Sequence, residues 1–225
     1  MIKPINIAVL LSGSGRTLQN FIDLIDQKKL AAGIQAVISS KEGAYGLERA
    51  KKHNIPNYLI PRKNYQSTEE FSEAINQVLK KHPVDLIVMA GFIHLYKIPP
   101  EYQGKVMNIH PALLPAFGGK GYYTDKVHQA VLKSGARTSG CTVHFADNAY
   151  DRGPIIIQKV IPVLDNDTPE TLAERVFQQE CLAYPEAIQL FAEGRLKIEG
   201  QLVKILPIHA TSTLRSPDKI RTEDE

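Results

Sequence analysis

The sequence predicts an α/β protein built on a doubly wound, mostly parallel open sheet, in a single domain covering residues 1–205. Three observations carry that expectation. Runs such as Ile5–Leu11 and Val84–Ala90 are too apolar to have a solvent face, as in strands covered on both sides. A glycine-rich turn, Ser12 to Thr17, separates the first run from an amphipathic pattern. Strand-like and helix-like segments then alternate up to Ala90, the signature of a wound sheet.

The first strand lies between Pro4 and Ser12-Gly13, and Leu18, Phe21, Ile22, Leu24 and Ile25 follow at helical spacing, ending near Lys28. Ile34–Ile38 reads as a second strand, Ala44–Lys52 as a helix closed by His53-Asn54, and Tyr58–Ile60 as a third strand. Thr68-Glu69-Glu70-Phe71 opens a helix that reaches His82, ahead of the fourth strand at Val84–Ala90. Gly91–Pro100 is a loop. Lys105–Ile109 is a fifth strand with Asn108 near its carboxyl end, where open parallel sheets place their ligands.

The second half is patterned differently. Pro115–Tyr123 holds three glycines and reads as a mobile or tightly turned loop, with a helix from Thr124 to Ser134. Thr138–Ala146 alternates as a strand, with Thr142, His144 and Ala146 on one face. The polar, turn-rich stretch Asp147–Gly153 is a place for a functional loop, and Ile155–Val163 is a strand. Thr168 caps a helix with Pro169 in its first position, which runs to about Glu193 and is bent or interrupted at Pro185. Arg195–Ile205 resembles a two-strand ribbon around Glu199-Gly200, and residues 206–225 read as a disordered or loosely docked tail.

Composition narrows the function. The chain has 225 residues, 43% hydrophobic and 23% charged, and a formal net charge of +3 from scattered basic residues, which gives no basis for a nucleic-acid or membrane partner. Cys141 and Cys181 share no C-x-x-C spacing and suit a reducing compartment, and the amino-terminal apolar run is too short for a signal segment or a membrane span. A cytoplasmic protein is expected, with monomer and homodimer both open.

Candidate chemistry centres on V-M-N-I-H-P-A-L-L-P-A-F, Val106 to Phe117. Asn108 and His110 are separated by one residue, so on a strand they point to the same face. His110 is either a satisfied polar residue at a strand end or a proton carrier, and Asn108 beside it can donate to an oxygen that becomes negative. Asp151, in Y-D-R-G-P, is either a turn carboxylate bonded to its own backbone or the partner of that pair. The Ser12–Thr17 loop is either a plain strand-to-helix turn or a site for a single phosphate. A dinucleotide is disfavoured, because Leu18 stands where the third glycine belongs and Ser39-Ser40 replaces the acidic residue for a ribose. His94, His128 and His144 show no ligand spacing with the other histidines, and no metal is expected.

Five blocks extend this reading: S-G-S-G-R-T-L-Q at 12–19, M-A-G-F at 89–92, N-I-H-P-A-L-L-P at 108–115, H-F-A-D-N-A-Y-D-R-G-P at 144–154 and Q-Q-E-C-L-A-Y-P at 178–185. In this order they closely resemble the phosphoribosylglycinamide formyltransferase family, over roughly residues 5 to 205. The resemblance implies a Rossmann-like formyltransferase fold and an enzyme of purine synthesis. Its co-substrate would be 10-formyltetrahydrofolate, its acceptor the amine of glycinamide ribonucleotide, and no metal would be needed. It implies catalytic roles for Asn108, His110 and Asp151, with Asp151 holding His110 charged. It puts the ribonucleotide phosphate on Gly15, Arg16 and Thr17 and the ribose hydroxyls on Glu180. The folate pocket falls along Met89, Phe92, Ile93, His94, Leu95 and Tyr96, with Asn108 and Asp147. The chain departs from the family at His94 and Thr68, where arginines are common, so no contact to the folate's glutamate tail is carried over. A 10-formyltetrahydrofolate hydrolase, or a non-catalytic nucleotide or folate binder on the same fold, are the competing readings.

Overall fold

The structure is a computed structural model and describes residues 3–123 and 125–208. Ile5–Leu11 (β1), Ala32–Ser39 (β2), Asn57–Leu59 (β3), Leu86–Met89 (β4) and Val106–His110 (β5) are strands, and Arg16–Asp26 (α1), Tyr45–Lys52 (α2) and Thr68–Leu79 (α3) are the helices between the first four. Asp125–Ser134 (α4), Thr138–Phe145 (β6), Ile155–Pro162 (β7), Pro169–Ala192 (α5) and the ribbon Leu196–Glu199 (β8) with Leu202–Ile205 (β9) follow. Thr124, expected to open α4, and residues 209–225 of the expected tail lie outside the described residues.

The first seven strands form one sheet in the order β3-β2-β1-β4-β5-β6-β7. β1 to β5 pair in parallel, while β6 runs antiparallel to both β5 and β7. From β1 the chain first winds outward to β3 and then returns to β4. That reversal opens a crevice at the carboxyl ends of β1 and β4.

Both faces of the sheet are covered. Ile7, Val9 and Leu11 of β1 join Leu18, Phe21, Val131, Leu172 and Val176 from α1, α4 and α5 in one core. Ala8 and Leu10 point the other way, into a second core with Phe71, Ile75 and Leu79 of α3. The alternation follows from the two-residue period of a strand, and each fully buried aliphatic side chain contributes roughly 1.5–3 kcal/mol.

The helix ends follow local chemistry. Ser67 Oγ accepts from Glu70 N–H at 3.0 Å to start α3. Thr168 and Thr171 exchange side-chain and backbone bonds at the start of α5, with Pro169 in the first turn as expected. Although Pro185 lies inside α5, the helix runs unbroken from Pro169 to Ala192. Proline has no N–H to offer the carbonyl of Cys181. Asn20 of α1 supplies the missing donor, with Nδ2 at 3.0 Å from Cys181 O. Leu206 also remains attached: its N–H donates to Arg195 O, and its carbonyl accepts from Arg195 Nε, both at 2.7 Å.

Candidate active site

Asn108 and His110 stand two residues apart on β5, and the antiparallel register sets Asn108 opposite His144 and His110 opposite Thr142. Asp151 arrives from the β6–β7 loop. Its Oδ2 lies 3.5 Å from His110 Nδ1, and its Oδ1 lies 3.7 Å from His144 Nε2. Asn108 Nδ2 is 3.1 Å from His144 Nε2 and donates to Asp151 Oδ1 over a longer 3.4 Å. The four side chains that the sheet and one loop bring together are thus two imidazoles, a carboxylate and an amide.

Backbone groups complete the cluster. His110 Nε2 is 2.8 Å from Phe117 O, and a carbonyl only accepts, so Nε2 carries a proton. His144 Nδ1, 2.9 Å from Phe145 O, carries a proton for the same reason, and its Nε2 faces Asn108 and Asp151. Gly119 N–H donates to Asp151 Oδ2 at 2.8 Å. Phe117 and Asp151 both hold the left-handed conformation, at φ 54 each, a strain that folds tolerate where the surroundings over-determine it. Gly153 is pinned as well, because a Cβ there would meet Phe145 O at 1.8 Å. The Pro111 to Pro115 turn is held from β6 and β7: Thr142 Oγ1 donates to Ala112 O at 2.7 Å and accepts from Leu114 N–H, while Gln158 donates to Leu114 O.

Electrostatics divides the roles. Burial lowers the pKa of His110, and His144 adds to this; the Asp151 charge and the Phe117 carbonyl pull upward without overcoming it. The imidazole is therefore neutral at rest, and Asp151's hold on it is outweighed by loss of water. For Asp151 itself, burial favours the protonated form, but the neighbouring His144 and His110 rings and the Gly119 N–H together keep it below the usual carboxylate range. The site pairs an ionised carboxylate with a neutral imidazole able to take a proton.

The Ser12–Thr17 loop lies at the end of β1. Ser12 Oγ accepts from Ile93 N–H at 3.2 Å and shares a proton with Ser40 Oγ at 2.6 Å, tying the carboxyl ends of β1, β2 and β4 together. Gly15 has φ 70, and a Cβ on it would meet Gly46 Cα at 2.6 Å, so the loop can pass the start of α2 only as glycine. Among the described residues no side chain caps α1, and no acidic residue sits in its first turn, so nothing offsets the positive end of its dipole there. Arg16, the first residue of α1, adds a positive charge there.

One cavity of ≈ 690 Å³ connects these parts. Asn108, His110, Asp151, Arg16, Thr17, Glu180, Met89, Phe92, Ile93, His94, Leu95, Tyr96 and Asp147 all line it; of the expected residues only Gly15 does not, although its neighbour Ser14 does. Burial raises the Glu180 carboxyl to about 7 against the opposing pull of Arg16. His94 lies edge-on to Phe71 and Phe92, and burial, helped by Arg62, lowers its pKa. Tyr96 is a core side chain more than a pocket one: it is 2% exposed and its hydroxyl donates to Asn76 Oδ1. Beneath the cavity the Tyr184 hydroxyl lies 2.9 Å from Met107 O and 3.1 Å from Met89 O, anchoring α5 to β4 and β5.

Several participants are not evident from sequence. His144 belongs to the cluster because β6 runs antiparallel to β5, whereas sequence indicates only that it flanks the strand. Gly119 and Phe117 act through backbone atoms, which no residue type announces. His128 of α4 also lines the cavity, buried, with Nδ1 lacking a hydrogen-bond partner among the described residues.

A sequence profile of the formyl transferase family matches residues 5–188, the span that contains the whole sheet and both ends of the cavity. The chain belongs to that family. It is 39% identical over 198 residues to the phosphoribosylglycinamide formyltransferase of Haemophilus influenzae, covering 87% of this chain and 91% of that one. The crystal structure of glycinamide ribonucleotide transformylase 1 from Symbiobacterium toebii superimposes with a TM-score of 0.83 at 40% identity, over 91% of this chain and 95% of that one. Within the family the chain therefore belongs with the phosphoribosylglycinamide formyltransferases. It is also 41% identical over 205 residues, 90% of its length, to the trifunctional purine biosynthetic protein adenosine-3 of Gallus gallus, of which it spans only 20%.

Proposed function

We propose that the protein transfers the formyl group of 10-formyltetrahydrofolate to the amine of glycinamide ribonucleotide, in the cytosol, and that residues 1–205 are the catalytic domain. The observation that carries this reading is the convergence of Asn108, His110 and Asp151 in one cavity with the uncapped start of α1 and Arg16. An acyl-transfer cluster and an anion cradle are thereby joined in one space.

In this reading the phosphate sits on Gly15, Arg16 and Thr17, and Glu180 accepts from the ribose hydroxyls. The folate occupies the wall formed by Met89, Phe92, Ile93, His94, Leu95 and Tyr96, with Asp147. The amine then attacks the formyl carbon, and the carbonyl electron pair moves to oxygen. Asn108 Nδ2 donates to that oxygen by giving up its long bond to Asp151, and a positioned donor of this kind contributes about 10²–10³ in rate. The new C–N bond leaves an extra proton on nitrogen. Neutral His110 accepts it at Nδ1, where Asp151 stabilises the imidazolium, and a water ordered by Asp151 carries that proton on from His110 to folate N10 as the oxyanion re-forms the carbonyl and the old C–N bond breaks. Atoms and charge balance without a covalent enzyme intermediate, because the amine is already the nucleophile.

The test is to supply purified protein with 10-formyltetrahydrofolate and follow deformylated folate with and without glycinamide ribonucleotide. Turnover is expected only with the amine. Turnover that ignores it would indicate hydrolysis, and none in either case would overturn the enzyme reading.

A further inference from the structure

We propose that Glu174 and Phe177 are positioning residues that hold the Arg16 guanidinium ready for the substrate's phosphate. This rests on the reading of Arg16 as a phosphate contact and adds what makes that contact effective. Glu174 and Phe177 are three residues apart on α5 and so share a helix face. Arg16 lies over the Phe177 ring, with Cζ 3.8 Å from its centroid, and Nη2 donates to Glu174 Oε1 at 2.8 Å and to Oε2 at 2.6 Å.

Both carboxylate oxygens draw on the same nitrogen. Nε and Nη1 have no hydrogen-bond partner among the described residues, and Arg16 and Phe177 line the cavity while Glu174 does not. Glu174 therefore holds one nitrogen of the guanidinium and leaves the other two for the phosphate. The Arg16 and Glu174 side chains are 47% and 53% exposed, so their ion pair adds little to stability and its effect lies in geometry. A long, flexible side chain is fixed in advance by a stacked ring and a carboxylate, which lowers the ordering cost when an anion binds.

Steady-state kinetics of Glu174→Ala, Phe177→Leu and Phe177→Tyr, beside Arg16→Ala and the double variant Arg16→Ala/Glu174→Ala, test this. Glu174→Ala and Phe177→Leu should each raise KM for the ribonucleotide roughly three- to tenfold, with kcat and the folate KM unchanged. Phe177→Tyr, which keeps the ring face, should stay near the parent value. In the Arg16→Ala background, Glu174→Ala should have no further effect, because its action passes through Arg16. A lower KM in Glu174→Ala would make Glu174 a competitor of the phosphate and overturn the proposal, as would an undiminished effect without Arg16. Should Arg16→Ala itself leave the ribonucleotide KM unchanged, the phosphate reading falls, and this inference with it.

Discussion

Asn20 Nδ2 donates to the carbonyl of Cys181 at 3.0 Å, and that carbonyl is the one that Pro185 deprives of its helical partner. A side chain of α1 thereby repairs a vacancy in α5 and joins the two helices that carry Arg16 and Glu180. Asn20→Ala is expected to destabilise the fold by about 1–3 kcal/mol, the cost of an acceptor left unpaired. Urea denaturation would measure it. Pro185→Ala restores an N–H to the carbonyl, so Asn20→Ala should cost less in that background, and equal costs would show that the two residues are not coupled.

His110 titrates below its ordinary value, so a rate that needs the neutral imidazole should reach half its plateau on the acid side of pH 6.5. Asp151 pulls that titration upward, and Asp151→Asn should therefore shift it further down, as NMR of the imidazole would report. The same substitution should reduce kcat by about 10²–10⁴. A shift upward, or a near-normal rate, would contradict the assigned roles. Stability follows with a definite sign. The unfolded histidine takes up its proton near pH 6.5, so the stability tied to the neutral buried ring is complete above that value and declines as pH falls toward the lower folded pKa.

Glu180, raised to about 7, changes charge in the working range. If its carboxylate accepts from the ribose, KM for the ribonucleotide should fall between pH 6 and pH 8 as Glu180 ionises. The substrate's phosphate also titrates in this range, so the informative quantity is the difference from Glu180→Gln, which retains only the phosphate's contribution. Identical profiles for the two proteins would remove Glu180 from ribose recognition.

Gly153→Ala should be among the most damaging single-methyl changes, because its Cβ would meet Phe145 O at 1.8 Å and displace the loop that carries Asp151. Loss of activity together with a lowered Tm is expected. Gly194→Ala, at a position where a Cβ would meet nothing within 4 Å but φ is 66, should show only the smaller cost of left-handed strain, roughly 1–2 kcal/mol.

Sequence patterning resolves β1 from end to end and brings Asn108 and His110 to one face, because an apolar run with a two-residue period has one way to sit in a sheet. It also anticipates the Thr168 cap of α5, a local device. The continuity of α5 through Pro185 is not legible, since it depends on Asn20, distant in sequence. His144 enters the cluster only through the register of β6, and the burial around His110, which lowers its pKa, is a property of packing that no motif encodes. Glu174 and Phe177 look like ordinary helix residues until Arg16 is seen lying across them.

The Phe117–Gly119 segment touches the chemistry only with a carbonyl and an N–H, given to His110 and Asp151. What the segment supplies to those two side chains is thus set by the path of the main chain. Beside them, a Cβ on Gly118 would meet Leu114 Cδ2 at 2.3 Å, so a side chain there would have to displace the end of Leu114. A change that keeps the route of the main chain would keep both bonds, whereas one that moves it would release His110 and Asp151 together.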